Sequence, residues 1–252
     1  MLGIYFSGTG NTKHCVTEFI ECFGENTAVS IETPNIDKLI PKHDTIVFGY
    51  PVYFSNIPKI VRDFIINNHE CFYNKKIFII ATMGLWSGDG TGCSARLFKK
   101  CGSNVIGGLH LKMPDCIGDK KILKKKTDEK KTLISQADSK IRFSAEKLKS
   151  NKPTQDGLSF YCQIAWLFGQ RLWFYKKTTS YKKKPNINIE KCIGCGQCVP
   201  LCPMKNIELI DNKAVSMGKC TLCYRCFSHC QTKALTILGK TVYEQYLFKN
   251  FN

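Results

Sequence analysis

Leu2-Gly3-Ile4-Tyr5-Phe6-Ser7-Gly8-Thr9-Gly10-Asn11-Thr12 opens the chain, and a helical pattern follows it. An apolar run, a turn of small polar residues and a helix are the parts of a phosphate loop. Small residues let backbone N–H groups close around an anion, the hydroxyls of Ser7, Thr9 and Thr12 add donors, and the helix N-terminus supplies a favourable field. No lysine is needed for this. The stretch lacks both the G-K-[ST] ending of a nucleoside-triphosphate loop and the G-x-G-x-x-G spacing of a dinucleotide fold, so neither ATP nor NAD is indicated.

Outward from this stretch, apolar runs recur at residues 45–48, 77–81 and 105–111, with a further strand expected at 28–31. Segments of helical period, such as 57–66 and 94–100, separate them, which is βαβ alternation. Ser7-x-Thr9-Gly10-Asn11-Thr12 is similar to the loop with which flavodoxins hold the FMN phosphate. The resemblance implies an α/β fold with a five-stranded parallel sheet in the order 2-1-3-4-5 and FMN bound beyond the carboxyl ends of the strands. It assigns the phosphate to Ser7, Gly8, Thr9, Gly10, Asn11 and Thr12. It assigns the flanks of the isoalloxazine to the loops after the third and fourth strands, at Pro51, Val52 and Tyr53 and at Thr82, Met83, Gly84, Trp86, Gly88 and Asp89. Tyr53 and Trp86 are the candidates for stacking on the ring, where offset aromatic packing adds about 0.5–1.5 kcal/mol beyond buried area. The alternative for each is a core aromatic.

Eight of the 15 cysteines form two runs, Cys192-x2-Cys195-x2-Cys198-x3-Cys202 and Cys220-x2-Cys223-x2-Cys226-x3-Cys230, the second 28 residues after the first. These spacings wrap a chain around a 4Fe-4S cubane and send the fourth ligand to a neighbouring cluster. Cys192, Cys195, Cys198 and Cys230 would hold one centre, and Cys220, Cys223, Cys226 and Cys202 the other. A structural zinc ion, the plainer alternative, needs a single four-ligand set. The repeat extends past the ligands, since Lys205, Ile207 and Leu209 correspond to Lys233, Leu235 and Ile237. Residues 186–238 resemble a bacterial two-cluster ferredoxin, a small α+β domain, with Pro203 after Cys202 as in that family. The second run departs from the pattern, with Gln231 at the proline position and His229 before the last ligand.

The organisation expected is a flavodoxin-like domain over residues 1–150, a basic and aromatic connecting helix and linker over 151–184, and the two-cluster domain with a C-terminal tail over 185–252. The ferredoxin-like part is short of apolar residues and depends on its clusters for stability. Within the connector, 158–175 is nearly apolar and ends in lysines. It reads as a helix clamped between the modules, with an interfacial membrane helix as the alternative. Residues 1–30 contain no charged segment followed by a long apolar one, and the remaining seven cysteines show no pairing pattern, so a cytoplasmic, reducing location is expected. Cluster content, many thiols and abundant lysine suit an anaerobe.

The formal charge is +17. Two clusters with their thiolates and one FMN phosphate reduce it to about +11. Residues 1–150 hold 22 basic and 15 acidic side chains, 151–184 hold 7 and 1, and 185–252 hold 8 and 4. Acidic redox proteins would be steered to such a surface. Nucleic acid is disfavoured because no reading module accompanies the charge. The run Lys120, Lys121, Lys124, Lys125, Lys126, Lys130 and Lys131 reads as a solvated loop and helix start. Most of the chain resembles clostridial-type fusions of a flavodoxin-like FMN domain with a two-cluster ferredoxin. That resemblance implies electron transport between FMN and two 4Fe-4S clusters and on to redox partner proteins such as a ferredoxin, a flavodoxin or an oxidoreductase. The alternative is a flavin-dependent reductase of a small molecule fed by the clusters. No acid/base pair marks a catalytic residue, so a carrier is favoured over an enzyme.

Overall fold

The computed structural model describes residues 1–25, 27–85, 89–159 and 181–251. The chain divides into two compact units. Among the described residues, one takes in Met1–Ser7, Asn11–Pro114 and the chain from Asp128 to residue 159, and the other takes in Gly8–Gly10, Asp115–Thr127 and residues 181–251.

In the first unit, β1 (Leu2–Tyr5), β2 (Ala28–Ser30), β3 (Thr45–Pro51), β4 (Lys76–Met83) and β5 (Asn104–Lys112) form one parallel sheet in the order β2-β1-β3-β4-β5. This is the expected flavodoxin-like topology. The apolar runs are continuous rather than alternating because both faces of a parallel sheet are covered; Ile46 to Tyr50 and Ile77 to Ala81 are buried throughout. Helices α1 (Asn11–Glu21), α2 (Ile36–Leu39), α3 (Lys59–Asn67), α4 (Gly90–Lys100) and α5 (Thr127–Lys149) accompany the sheet. Buried phenylalanines fill the layers: Phe48 meets Phe98 edge-on at 5.1 Å, and Phe19 stacks on Phe78 at 4.6 Å. α1 approaches the sheet over two glycines. A Cβ on Gly3 would lie 2.9 Å from Val16 Cγ1, and one on Gly49 would lie 2.2 Å from Val16 Cγ2.

α5 buries Ile134, Ala137, Ile141 and Ala145 along one stripe, the spacing of an amphipathic helix. Lys130 lies on its first turns and is only 3% exposed, so it departs from the solvated run expected around it; Lys120, Lys121, Lys124, Lys126 and Lys131 are exposed. After α5 the chain returns along β5. Gly108 N–H donates to Thr154 O at 2.8 Å and Asp156 N–H donates to Gly108 O at 3.0 Å, which occupies part of a sheet edge that would otherwise present unpaired backbone groups.

The second unit repeats a small motif. β6 (Asn186–Ile187) pairs antiparallel with β9 (Leu235–Thr236), and β7 (Ile207–Ile210) forms a hairpin with β8 (Lys213–Ser216). Asp211 and Asn212, both at positive φ, make its two-residue turn, the twist that suits paired strands. Short helices α6 (Cys198–Leu201) and α7 (Arg225–His229) end the two cysteine runs. The halves match in backbone as in sequence: Lys205 and Lys233 are both left-handed, at φ 47° and 54°. Their N–H groups reach Cys202 O and Cys230 O at 3.0 and 3.1 Å. In the tail, Gln245 Nε2 donates to Phe227 O at 2.8 Å and Cys230 O at 2.6 Å, and Tyr246 is buried.

Among the described residues no helix is long and apolar enough to cross a membrane. The greater part of the apolar segment 158–175 lies outside the described residues, as do Trp86 and Gly88.

Candidate functional site

Parallel pairing of the three central strands puts their carboxyl ends side by side, and three loops start there. Ser7 to Gly10 link β1 to α1, whose first turn carries no acidic residue and so leaves the positive end of the helix dipole unopposed. Asn11 Nδ2 donates to Pro114 O at 2.8 Å, and Thr12 Oγ1 lies 2.7 Å from Thr82 Oγ1 at the end of β4. Pro51 closes β3 opposite Thr82, and Val52 N–H donates to Thr82 O at 2.8 Å. Ser7, Asn11 and Thr12, Pro51 to Tyr53, and Thr82 to Gly84 therefore converge at one end of the sheet. Gly8, Thr9 and Gly10 group with the second unit.

Tyr53 begins a tight reversal in which its N–H and O exchange 3.0 Å hydrogen bonds with Asn56. The two residues at the turn, Phe54 and Ser55, both have positive φ, at 49° and 57°. Side chains seldom adopt that region, at a cost of about 1–3 kcal/mol each, so the surrounding loop must hold it. Asp89 stands at the N-terminus of α4 with its carboxylate buried against the Arg96 guanidinium. Its Oδ1 has no hydrogen-bond partner among the described residues.

In the second unit the two cysteine runs interdigitate. Cys192, Cys195, Cys198 and Cys230 line one cavity, with Ile193 and Leu209 at its wall and Cys226 also reaching it. Cys220 and Cys226 are each close enough to Cys202 and Cys223 to feel their charge. The last cysteine of each run thus lies with the other run's first three. Among the described residues no three His, Cys, Asp or Glu side chains are placed to hold a single metal ion.

Residues 2–100 match the flavodoxin domain family, and residues 184–231 match the 4Fe-4S dicluster domain family. The chain joins a flavodoxin domain to a 4Fe-4S dicluster domain. It is similar to Ferredoxin-2 of Desulfomicrobium norvegicum, 52% identical over 29 residues that make up 12% of this chain and 49% of that protein. The chain therefore spans about half the length of this curated relative. Similar solved structures include two-electron reduced Megasphaera elsdenii flavodoxin, at 23% identity over 56% of this chain and 99% of that one, TM-score 0.41. Another is general stress protein 14 of Treponema denticola in complex with FMN, at 13% identity over 60% and 97%, TM-score 0.42.

The residues present fit both kinds of group. In the flavodoxin domain an acid-free helix N-terminus lined with hydroxyls suits a phosphate, and the orphaned Asp89 Oδ1 suits a ring N–H. In the dicluster domain, burial pushes the Cys220 thiol up to about 12, and the neighbouring Cys223 and Cys202 add to it; bound iron would supply the positive charge that reverses this. Backbone N–H donation from Ala214 has the opposite effect on Cys192, holding its thiol below the ordinary range against a smaller opposing effect of burial. Ser228 Oγ, on the helix carrying Cys226, is buried without a partner among the described residues, as suits a donor to a cluster or ligand sulfur.

Several groups around these sites have roles that the sequence does not show. Tyr50 is buried, its single O–H is directed between Gly90 O at 2.7 Å and Ser94 Oγ at 2.9 Å, and burial raises its phenol far above the ordinary value. It is a core strut and not a proton donor for a substrate. His110 Nε2 accepts the Thr91 N–H at 3.2 Å, so the neutral ring caps the α4 N-terminus; burial lowers its pKa. Arg96 and Gln245 are likewise unsignalled: Arg96 pairs with the Asp89 carboxylate two turns back along α4, and Gln245 bonds backbone carbonyls.

Proposed function

We propose that the chain is an electron-transfer protein that binds one FMN at the carboxyl end of the sheet and two 4Fe-4S clusters in the second unit, and that its reaction partners are acidic redox proteins. The observation that carries this reading is the interdigitation of the cysteine runs, which supports two four-thiolate sets rather than one. Ser7 to Thr12 would hold the phosphate, with Pro51 to Tyr53, Thr82 to Gly84 and Asp89 around the ring. FMN exchanges electrons in pairs or singly and a cluster one at a time, so the combination links two-electron and one-electron chemistry. The lysine excess favours encounter with acidic partners and makes it sensitive to salt.

Anaerobically prepared protein should contain one FMN and about eight iron and eight sulfide per chain. Cys202→Ser should alter the signals of one cluster, and the same signals should respond to Cys220→Ser and not to Cys195→Ser. Four irons per chain, or a Cys202→Ser effect shared with Cys195→Ser instead, would overturn the crossed arrangement.

A further inference from the structure

The two halves of the dicluster unit are near copies, yet one of them has a buried carboxylate tied to its cysteine loop. In the repeat, Gly194 and Gly196 correspond to Leu222 and Tyr224. All four have left-handed backbones, at φ 70°, 71°, 62° and 57°. Glycine takes that region freely, whereas a side chain there costs about 1–2 kcal/mol, so something must hold Tyr224. Its ring is 1% exposed and packs edge-on against Phe227 at 5.1 Å. Its hydroxyl donates to Asp119 Oδ1 at 2.9 Å.

Asp119 comes from the stretch between β5 and α5. It is 1% exposed, and its Oδ2 accepts three successive backbone N–H groups, from Ile237, Leu238 and Gly239, at 2.6, 2.8 and 2.9 Å. All four bonds are received, as by an ionised carboxylate, and a run of N–H groups is a cradle for an anion. Among the described residues no cation forms an ion pair with it. Each half also has a cation, since Lys213 Nζ donates to Cys192 O at 2.6 Å and Arg225 Nη1, next to Cys226, lies 3.4 Å from Leu201 O; the buried carboxylate belongs to one half.

We propose that Asp119 is a positioning residue which, through Tyr224, fixes the loop bearing Cys220, Cys223 and Cys226 and, through its buried charge, lowers the reduction potential of the cluster those residues share with Cys202. The inference rests on the two-cluster reading above. Reduction adds negative charge, which a nearby anion opposes and a nearby cation favours, and low-dielectric surroundings preserve the effect. Asp119 thereby holds the potential of that cluster below the value it would have without the carboxylate.

The test is an anaerobic redox titration of the holoprotein followed by electron paramagnetic resonance. Asp119→Asn should raise the potential of one cluster only, the one whose signal Cys202→Ser also perturbs, and Asp119→Glu should return it toward the wild-type value. No shift, an equal shift of both clusters, or a shift as large in Asp119→Glu would overturn the proposal. Should Asp119→Asn hold less than full iron, Tyr224→Phe takes its place. It keeps the charge and removes one of its four donors, so the same cluster should move to lower potential, and an unmoved signal overturns the role. An iron count of four in the wild type would instead remove the two-cluster reading itself, independently of Asp119.

Discussion

Adding one methyl group at Gly49 should loosen the phosphate loop from a distance. Gly49 lies in β3 under α1, and its backbone is one that alanine adopts without strain, so alanine alone would stabilise by about 0.4–1 kcal/mol through the unfolded chain. The added carbon, however, would meet Val16 Cγ2 at 2.2 Å and Thr12 Cγ2 at 3.1 Å. Ordinary carbon contacts begin near 3.5 Å, so α1 must withdraw by about 1 Å. Overpacking of this kind costs about 1–3 kcal/mol, leaving Gly49→Ala less stable by about 1–2 kcal/mol. Because Thr12 is on the displaced turn, FMN affinity should fall as well, on the order of tenfold for each 1.4 kcal/mol carried into the site. Flavin fluorescence titration and urea unfolding of the flavodoxin unit would measure the two effects. Val16→Ala removes the obstructing methyl groups, so it should suppress Gly49→Ala, and the double variant should be more stable than the sum of the singles predicts. A fully additive double variant, or wild-type stability in Gly49→Ala, would refute the packing argument.

Three further outcomes are expected. His110 has a lowered pKa, so the unfolded chain takes up its proton first; the flavodoxin unit should keep this contribution above about pH 6.5 and lose it as pH falls below that, and His110→Gln should flatten the dependence seen in urea midpoints between pH 5 and 7. Thr12→Val should weaken FMN on the order of tenfold to a hundredfold, the worth of one charge-assisted hydrogen bond, while riboflavin binding hardly changes; equal loss of both would place the phosphate elsewhere. Gln245→Ala frees the carbonyls of Phe227 and Cys230 at about 1 kcal/mol each, and should speed iron loss to a chelator without changing the absorbance of the intact clusters.

Legibility in the sequence followed the range of the interactions. The β1–α1 turn and the cysteine runs are local patterns whose chemistry is carried by neighbours in the chain, and the strand runs reveal themselves by being apolar throughout. α4 begins at Gly90 rather than near Ser94 because its first turn is stabilised by His110, from a strand read separately. Lys130 looks like one more solvated lysine until α5 turns it inward. Asp119 sits next to a lysine run and reads as loop, since the three amides that receive it are about 120 residues further along.

That separation has a bearing on how the protein is made. Asp119 and Ile237 are 118 residues apart, so at about 5–20 residues per second the ribosome delivers the partner about 6–24 s after the carboxylate. The flavodoxin sheet can close in that interval, but Asp119 must wait for the end of the chain. The five lysines of Asp115–Thr127 keep the waiting segment hydrated and out of contact with other nascent chains, as charged gatekeepers do beside aggregation-prone stretches. Completion of the second unit therefore waits until translation is nearly over, and a chain stopped just before Ile237 would carry all eight cluster cysteines and still lack the cradle for Asp119.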